Sequence, residues 1–278
     1  MQERITLSDP NILFLNCGAM TPPLAHLQAV SLCLALETDD GWVLVDTGFG
    51  TRDFTSPTRR MRLWRAIFGI APQESQAAIH QLAGHGISSQ DLRHIVLTHL
   101  HFDHAGGLRD FPSAQVHVAR REAQASRHPR KLLELGYLPA HWAHGPRWVI
   151  HEPGSLSWQG KPAVRVLPGV RPEILLVSLP GHTSGHCGVV VETGRGWLLL
   201  AGDAASPFHP YGDVGEARRP SYPLGWFPTP LVRWILGPHT PWMRELAARN
   251  RETIEIVSSH DVQAWERHNP RQATLDTS

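Results

Sequence analysis

A chain of 278 residues with 41% hydrophobic and 18% charged residues can bury a sizeable core, which excludes a disordered or low-complexity polypeptide. Twenty-six Lys and Arg against 25 Asp and Glu leave a formal charge of +1, too small an excess for a nucleic-acid binder that must neutralise phosphates. Three scattered cysteines, Cys17, Cys33 and Cys187, exclude a disulfide framework and read as buried free thiols in a reducing compartment.

The first ten residues, MQERITLSDP, lack the basic start and apolar run of a secretion signal. NILFLN (11–16) and SLCLALE (31–37) read as strands, and Asp39-Asp40-Gly41 turns the second into WVLV as a hairpin. The uncharged run from Pro10 to Leu36 is broken by Asn16, Gly18, Pro22, Pro23 and Gln28, so it makes no membrane span, and a cytoplasmic protein is expected. Residues 51–72, Arg-rich around Trp64, Ile67 and Phe68, predict a surface helix or insertion, and 76–83 a short helix stopped by Gly84 and Gly86. HIVLTH is a β-rich run that ends in a cluster of histidines. Downstream, QVHVA, PAVRVL, ILLVSLPGH, HCGVVVE, WLLLAGD and IEIVSSHD predict strands, whereas REAQAS and residues 242–253 predict helices.

This alternation predicts an αββα sandwich of two mixed sheets flanked by helices, within a single domain covering residues 1–278. Residues 206–241 stand apart as a proline- and aromatic-rich loop insertion. Within it, Phe208, Tyr211, Trp226 and Phe227 are candidates for the wall of a substrate pocket or for a homodimer contact.

The stretch LTHLHFDHAGG (97–107) places His99, His101, Asp103 and His104 within six residues. Imidazole nitrogens and carboxylate oxygens this close repel one another and resist desolvation unless a cation lies between them. On a strand-to-helix loop, His99 and His101 turn toward one point, Asp103 and His104 toward another, while Gly106 and Gly107 are expected to free the backbone just beyond. Further liganding residues stand where later apolar runs stop: His182 after LVSLPG, Asp203 after WLLLAG and His260 after IEIVSS. His94, His117, His151 and His239 fit no such pattern and read as ordinary polar or partly buried histidines.

THLHFDHAGG, with VDTG upstream and PGHTSGH, AGD and SHD downstream in that order, resembles the metallo-β-lactamase superfamily across about Val45 to Asp261. The resemblance implies the same αββα fold and two divalent cations. It gives His99, His101 and His182 to the first, Asp103, His104 and His260 to the second, and Asp203 as the bridge between them. It makes Asp46 a buried acid beneath the metal loop and partner to a ligand histidine, and His186 structural. Zinc suits these donors, as do iron, manganese and cobalt. The implied chemistry is attack of a shared hydroxide on an ester-like carbonyl, with Asp103 passing a proton to the leaving group.

His101 stands where an oxidoreductase branch carries glutamate, and Asp203 where lactamases often carry cysteine. The motifs are most similar to those of N-acyl-homoserine lactonases, with a small-molecule ester or lactone as the expected partner. Ser206 occupies the position of a tyrosine typical of those lactonases, with Tyr211 a nearby substitute. Glyoxalase II-like thioesterases share the ligand set, and Arg244, Arg249, Arg251 and Arg267 offer them a cationic patch. A β-lactamase-like hydrolase, a phosphodiesterase and a non-enzymatic binding protein are weaker alternatives.

Overall fold

Strand pairing begins with turn chemistry. The computed structural model describes residues 11–22, 28–71, 73–129, 132–204 and 239–270. β1 (Ile12–Met20) runs antiparallel to β2 (Ala29–Thr38), and Gly41, at φ +90°, supplies the left-handed backbone by which the turn leads into β3 (Gly41–Val45). β4 (Leu92–Val96), β5 (Gln115–Ala119) and β6 (Arg147–His151) then add parallel to β3, giving the order β1-β2-β3-β4-β5-β6. The second sheet is an antiparallel meander of β7 (Leu156–Trp158), β8 (Lys161–Arg165), β9 (Ile174–Ser178), β10 (Cys187–Thr193) and β11 (Gly196–Leu200). It is closed by β12 (Ile254–Val257), parallel to β11.

Helices fill the crossovers. α1 (Thr51–Thr55), α2 (Arg59–Phe68) and α3 (Ala78–Gly84) join β3 to β4, while α4 (Phe102–Ala105) and α5 (Arg120–Arg127) flank β5. α6 (Thr240–Arg249) and α7 (Val262–His268) flank β12. Side-chain alternation sorts the apolar residues into layers. Leu34, Leu36, Val43, Val45 and Val96 face Leu176, Val189, Val191, Leu198 and Leu200 between the sheets. On the outer faces, Leu44, Ile95 and Val116 pack with Ala78 and Leu82 of α3, and Val177, Val190 and Leu199 with Met243 and Leu246 of α6. This is the αββα sandwich expected, with both sheets buried on two faces.

Several details depart from the reading of the sequence. The Arg-rich segment 51–72 holds two helices rather than one, and a short helix not foreseen, α7, follows β12. β6 and β7 carry no strong apolar alternation, and neither is apparent in the sequence. Most of the 206–241 insertion, including Phe208, Tyr211, Trp226, Phe227 and Ser206, lies outside the described residues. Its last two residues, Thr240 and Pro241, are not loop but the opening of α6, where proline loses no hydrogen bond. Among the described residues, no helix is long and apolar enough to cross a membrane.

Topology gathers the chain's polar strand ends on one edge. β3 and β4 are parallel, and β9, β11 and β12 share a direction, so the segments after them emerge on common edges. Hydrogen bonds tie the two sheets together there, with Cys187 N–H donating to Thr98 O at 2.9 Å and Leu32 N–H to Ser259 O at 2.8 Å.

Three of the four histidines that fit no motif, His94, His117 and His151, form a row across the first sheet. His94 Nδ1 lies 3.0 Å from His117 Nε2, His117 Nδ1 lies 2.9 Å from His151 Nε2, and Asp40 Oδ2 closes the row 3.1 Å from His94 Nε2. Burial, then the neighbouring His151 and His94, push the His117 pKa down to about 3. An unfolded chain binds that proton near pH 6.5, so between those values unfolding takes up a proton. Stability from this residue is therefore complete above about pH 6.5 and lost progressively toward pH 3. Urea titrations from pH 7 to pH 4 should show a shallower loss of stability in His117→Gln than in the parent chain; parallel slopes would refute the assignment.

Candidate metal centre

The loop after β4 owes its shape to apolar anchors. Leu97 and Leu100 are buried in the cluster beneath α3, and Thr98, His99 and His101 lie between and beyond them. One turn of helix, α4, then carries Asp103 and His104. Gly106 and Gly107 follow for a reason other than the expected backbone freedom. Gly106 has ordinary helical angles, φ −61° and ψ −39°. A Cβ there would meet Asp53 Oδ2 at 2.5 Å and Gly48 O at 2.7 Å, and one at Gly107 would meet Thr47 O at 2.9 Å. What both positions need is space, because α4 presses on the loop after β3.

All seven predicted side chains converge. Potential ligand atoms of His99, His101 and His182 lie within 4.8 Å of one another, as do those of His99, His104 and Asp203, and those of Asp103, His104 and His260. Asp203 sits centrally: its Oδ2 is 3.3 Å from His182 Nε2, its Oδ1 is 3.4 Å from His104 Nε2, and both oxygens are 3.2 Å from His260 Nε2. Asp103 completes one side, 3.7 Å from His260 Nε2 and 3.9 Å from His104 Nε2.

Hydrogen bonds outside the cluster decide which nitrogen faces inward. Asp46 is 1% exposed and adopts φ +55°, a left-handed conformation that is strained for any residue with a side chain. Its Oδ1 accepts the Thr98 N–H at 2.8 Å, while its Oδ2 accepts the Thr98 hydroxyl and His104 Nδ1, each at 2.8 Å. Thr98 Oγ1 in turn lies 3.0 Å from His99 Nδ1, and the Val30 carbonyl 2.8 Å from His260 Nδ1. With Nδ1 engaged, the Nε2 lone pairs of His99, His104 and His260 are turned toward the centre. Buried His186 accepts the Asp203 N–H at 3.0 Å and so fixes that residue's backbone.

The result is a set of buried polar atoms without well-formed hydrogen bonds, His104 Nε2 and Asp203 Oδ1 meeting only as an ion pair. His99 Nε2, His101 Nε2, His104 Nε2 and Asp203 Oδ1 have no hydrogen-bond partner. Each such atom costs about 1–3 kcal/mol, which a cation at their meeting point would offset. The titrations divide the donors: without a cation His99 and His101 stay neutral, whereas Asp203 and Asp103, outweighing burial, raise His104 and His260 into the protonated form, whose protons a metal would displace. Burial pushes His99 and His101 well below the ordinary range, aided by neighbouring imidazoles, which keeps their lone pairs available. Burial would raise the Asp203 pKa, yet His260, His104 and His182 hold it well below the usual carboxylate range. At His260, burial is outweighed by Asp203, and the pKa rises to about 9. The chemistry of these donors, five imidazoles with two carboxylates, fits a pair of divalent cations.

The sequence reading missed Thr98, which joins Asp46 to both His99 and the loop backbone. It also missed the aromatic cluster around Phe102. That ring stacks on Trp64 at 5.2 Å and touches Phe68 and Phe49 at 5.7 and 5.9 Å. Phe102 stands between two predicted ligands in the motif itself, which was the available signal.

Comparison with known proteins agrees with this geometry. The family model described as the metallo-beta-lactamase superfamily matches residues 28–243. A Mycobacterium tuberculosis protein named "Probable metallo-hydrolase" is 43% identical over 193 residues, 68% of this chain and 61% of that one. An N-acyl homoserine lactonase from a Bacillus species is 33% identical over 179 residues, 62% of this chain and 63% of that one. The match thus spans about three fifths of the length of these relatives. Among solved structures, an N-acyl homoserine lactone hydrolase with N-hexanoyl-L-homoserine bound at its catalytic metal centre shares the fold, with a TM-score of 0.62 at 25% identity over 92% of this chain and 95% of that one.

Replacing Asp46 by Ala strands the Thr98 amide and loosens His104 and His99 together. Unfolding free energy should fall by at least about 1–3 kcal/mol in urea; an unchanged midpoint would show that Asp46 does not hold the loop.

Proposed function

The chain belongs to the metallo-β-lactamase superfamily, and from that premise we propose that it is a metal-dependent hydrolase that opens an ester-like bond, with a lactone as its substrate class. The observation that carries the reading is the convergence of His99, His104 and Asp203, whose buried His99 Nε2, His104 Nε2 and Asp203 Oδ1 lack hydrogen bonds. In this reading His99, His101 and His182 hold one cation, Asp103, His104 and His260 the other, and Asp203 serves both. Zinc is the first choice for these donors, with iron, manganese or cobalt as substitutes. When bound, such a pair lowers the pKa of water toward neutrality and polarises a carbonyl oxygen.

The chain's own residues do the rest. Asp46 and Thr98 hold His104 and His99 in the tautomer that donates a lone pair inward. Asp103, beside His260 and His104, would take the proton released by the attacking water and pass it to the departing alkoxide. Half-buried Trp64 and Phe68, packed over buried Phe102 beside the metal loop, offer apolar area for a substrate with an acyl chain. On the same helix, α2, Leu63 and Ile67 are 59% and 47% exposed. The name of the Bacillus relative supports the same substrate class. On the thioesterase alternative, Arg249 is less available than expected, because it pairs with Glu245 on α6.

Metal analysis of the purified chain should find near two equivalents, and stripping them with a chelator should abolish turnover until zinc is restored. A chain that purifies and refolds with none would defeat the reading. A long-chain acyl-homoserine lactone should be turned over faster than S-lactoylglutathione, a cephalosporin or bis(p-nitrophenyl) phosphate; dominant thioester hydrolysis would overturn the substrate class. Asp203→Ala should reduce activity on all four to background.

A further inference from the structure

Two loops from different sheets supply His99, His101 and His182, and the spacing between those loops has to be set by something outside the cluster. Glu122, in the first turn of α5, is fully buried and reaches both. Its Oε1 accepts the Leu100 N–H at 2.9 Å, and Leu100 stands between His99 and His101. Its Oε2 accepts the Thr183 hydroxyl at 2.6 Å and the Gly185 N–H at 3.2 Å, and Thr183 follows His182. These three donors are neutral, so burying the carboxylate among them is costly unless the arrangement serves a purpose.

The surrounding contacts make the arrangement tight. A Cβ at Gly185 would lie 2.0 Å from the Glu122 backbone nitrogen, so the His182 loop rests directly on α5. On the other side, buried Tyr137 packs edge-on against the His101 ring, with centroids 5.3 Å apart. His101 Nδ1 and His182 Nε2 are thereby held 3.0 Å apart.

We propose that Glu122 is a positioning residue for the metal centre, its carboxylate fixing the separation of His101 and His182 and so the affinity of the site they form with His99. The inference rests on the metal-dependent reading given above. An amide cannot replace the carboxylate. In either rotamer, the NH2 of glutamine would confront the N–H of Leu100 or that of Gly185, leaving one backbone donor without an acceptor. The ties between the sheets at this edge, Cys187 to Thr98 and Leu32 to Ser259, do not involve Glu122, so the fold retains its own support.

The test is chelator competition on the zinc-loaded full chain, comparing the parent with Glu122→Gln and Thr183→Val, alongside circular dichroism and thermal melting. In Glu122→Gln, one of two zinc ions should be held roughly ten- to a hundredfold more weakly while the spectrum and cooperative melt persist. Thr183→Val should show a smaller loss in the same direction. Parental affinity for both ions in a folded Glu122→Gln would overturn the inference and leave the metal centre standing. If Glu122→Gln does not fold, Thr183→Val decides, and parental affinity there overturns the inference. A parent chain that binds no zinc would instead overturn the metal reading itself.

Discussion

One carboxylate in an unfavourable backbone conformation governs the geometry of the cluster. Asp46 leaves β3 at φ +55°, and its two oxygens take three donors from Thr98 and His104. The strain, of order 1–3 kcal/mol for such a conformation, persists because these donors and the strands on either side over-determine it. Asp46 N–H also donates to Val96 O at 2.9 Å, so the residue is clamped to the strand whose end it organises. From that point the tautomers of His104 and His99 follow, and with them the inward lone pairs.

The centre is built in tiers. The sandwich brings strand ends together, hydrogen bonds to Asp46, Thr98, Val30 and His186 orient the groups at those ends, and the groups themselves are left with polar atoms satisfied only by a cation. Each tier is rigid for a different reason: apolar burial between sheets, saturated carboxylates beneath the loop, and charge within the cluster. Glu122 adds a lateral constraint between loops that the strands alone leave free.

What could be read from the residues was whatever is local in sequence or repeats at strand ends. HLHFDH is compact, and His182, Asp203 and His260 each stop an apolar run, so the cluster was legible before any coordinates. The sandwich was legible too, because WVLV, HIVL, ILLV and GVVV are apolar runs too short for helices and too continuous for exposed strands. Glu122 was not legible: it sits in REAQAS, where a glutamate in the first turn of a helix is ordinary. Its role depends on contacts 22, 61 and 63 residues away along the chain. Thr98 was hidden for a similar reason, since a threonine beside a histidine carries no signal of the aspartate it meets. The glycines after the motif were noticed but misread, because crowding against Gly48 and Asp53 cannot be inferred from neighbours in sequence.

The hydrogen bond from His260 to the Val30 carbonyl joins residues 230 positions apart. Asp103 and His104 precede His260 by more than 150 residues, so that triplet cannot exist on a nascent polypeptide before His260 has left the ribosome. A cation captured before then would find the other six donors without His260. Completion of the centre is thus a long-range event, which requires that the two sheets of the sandwich have found each other.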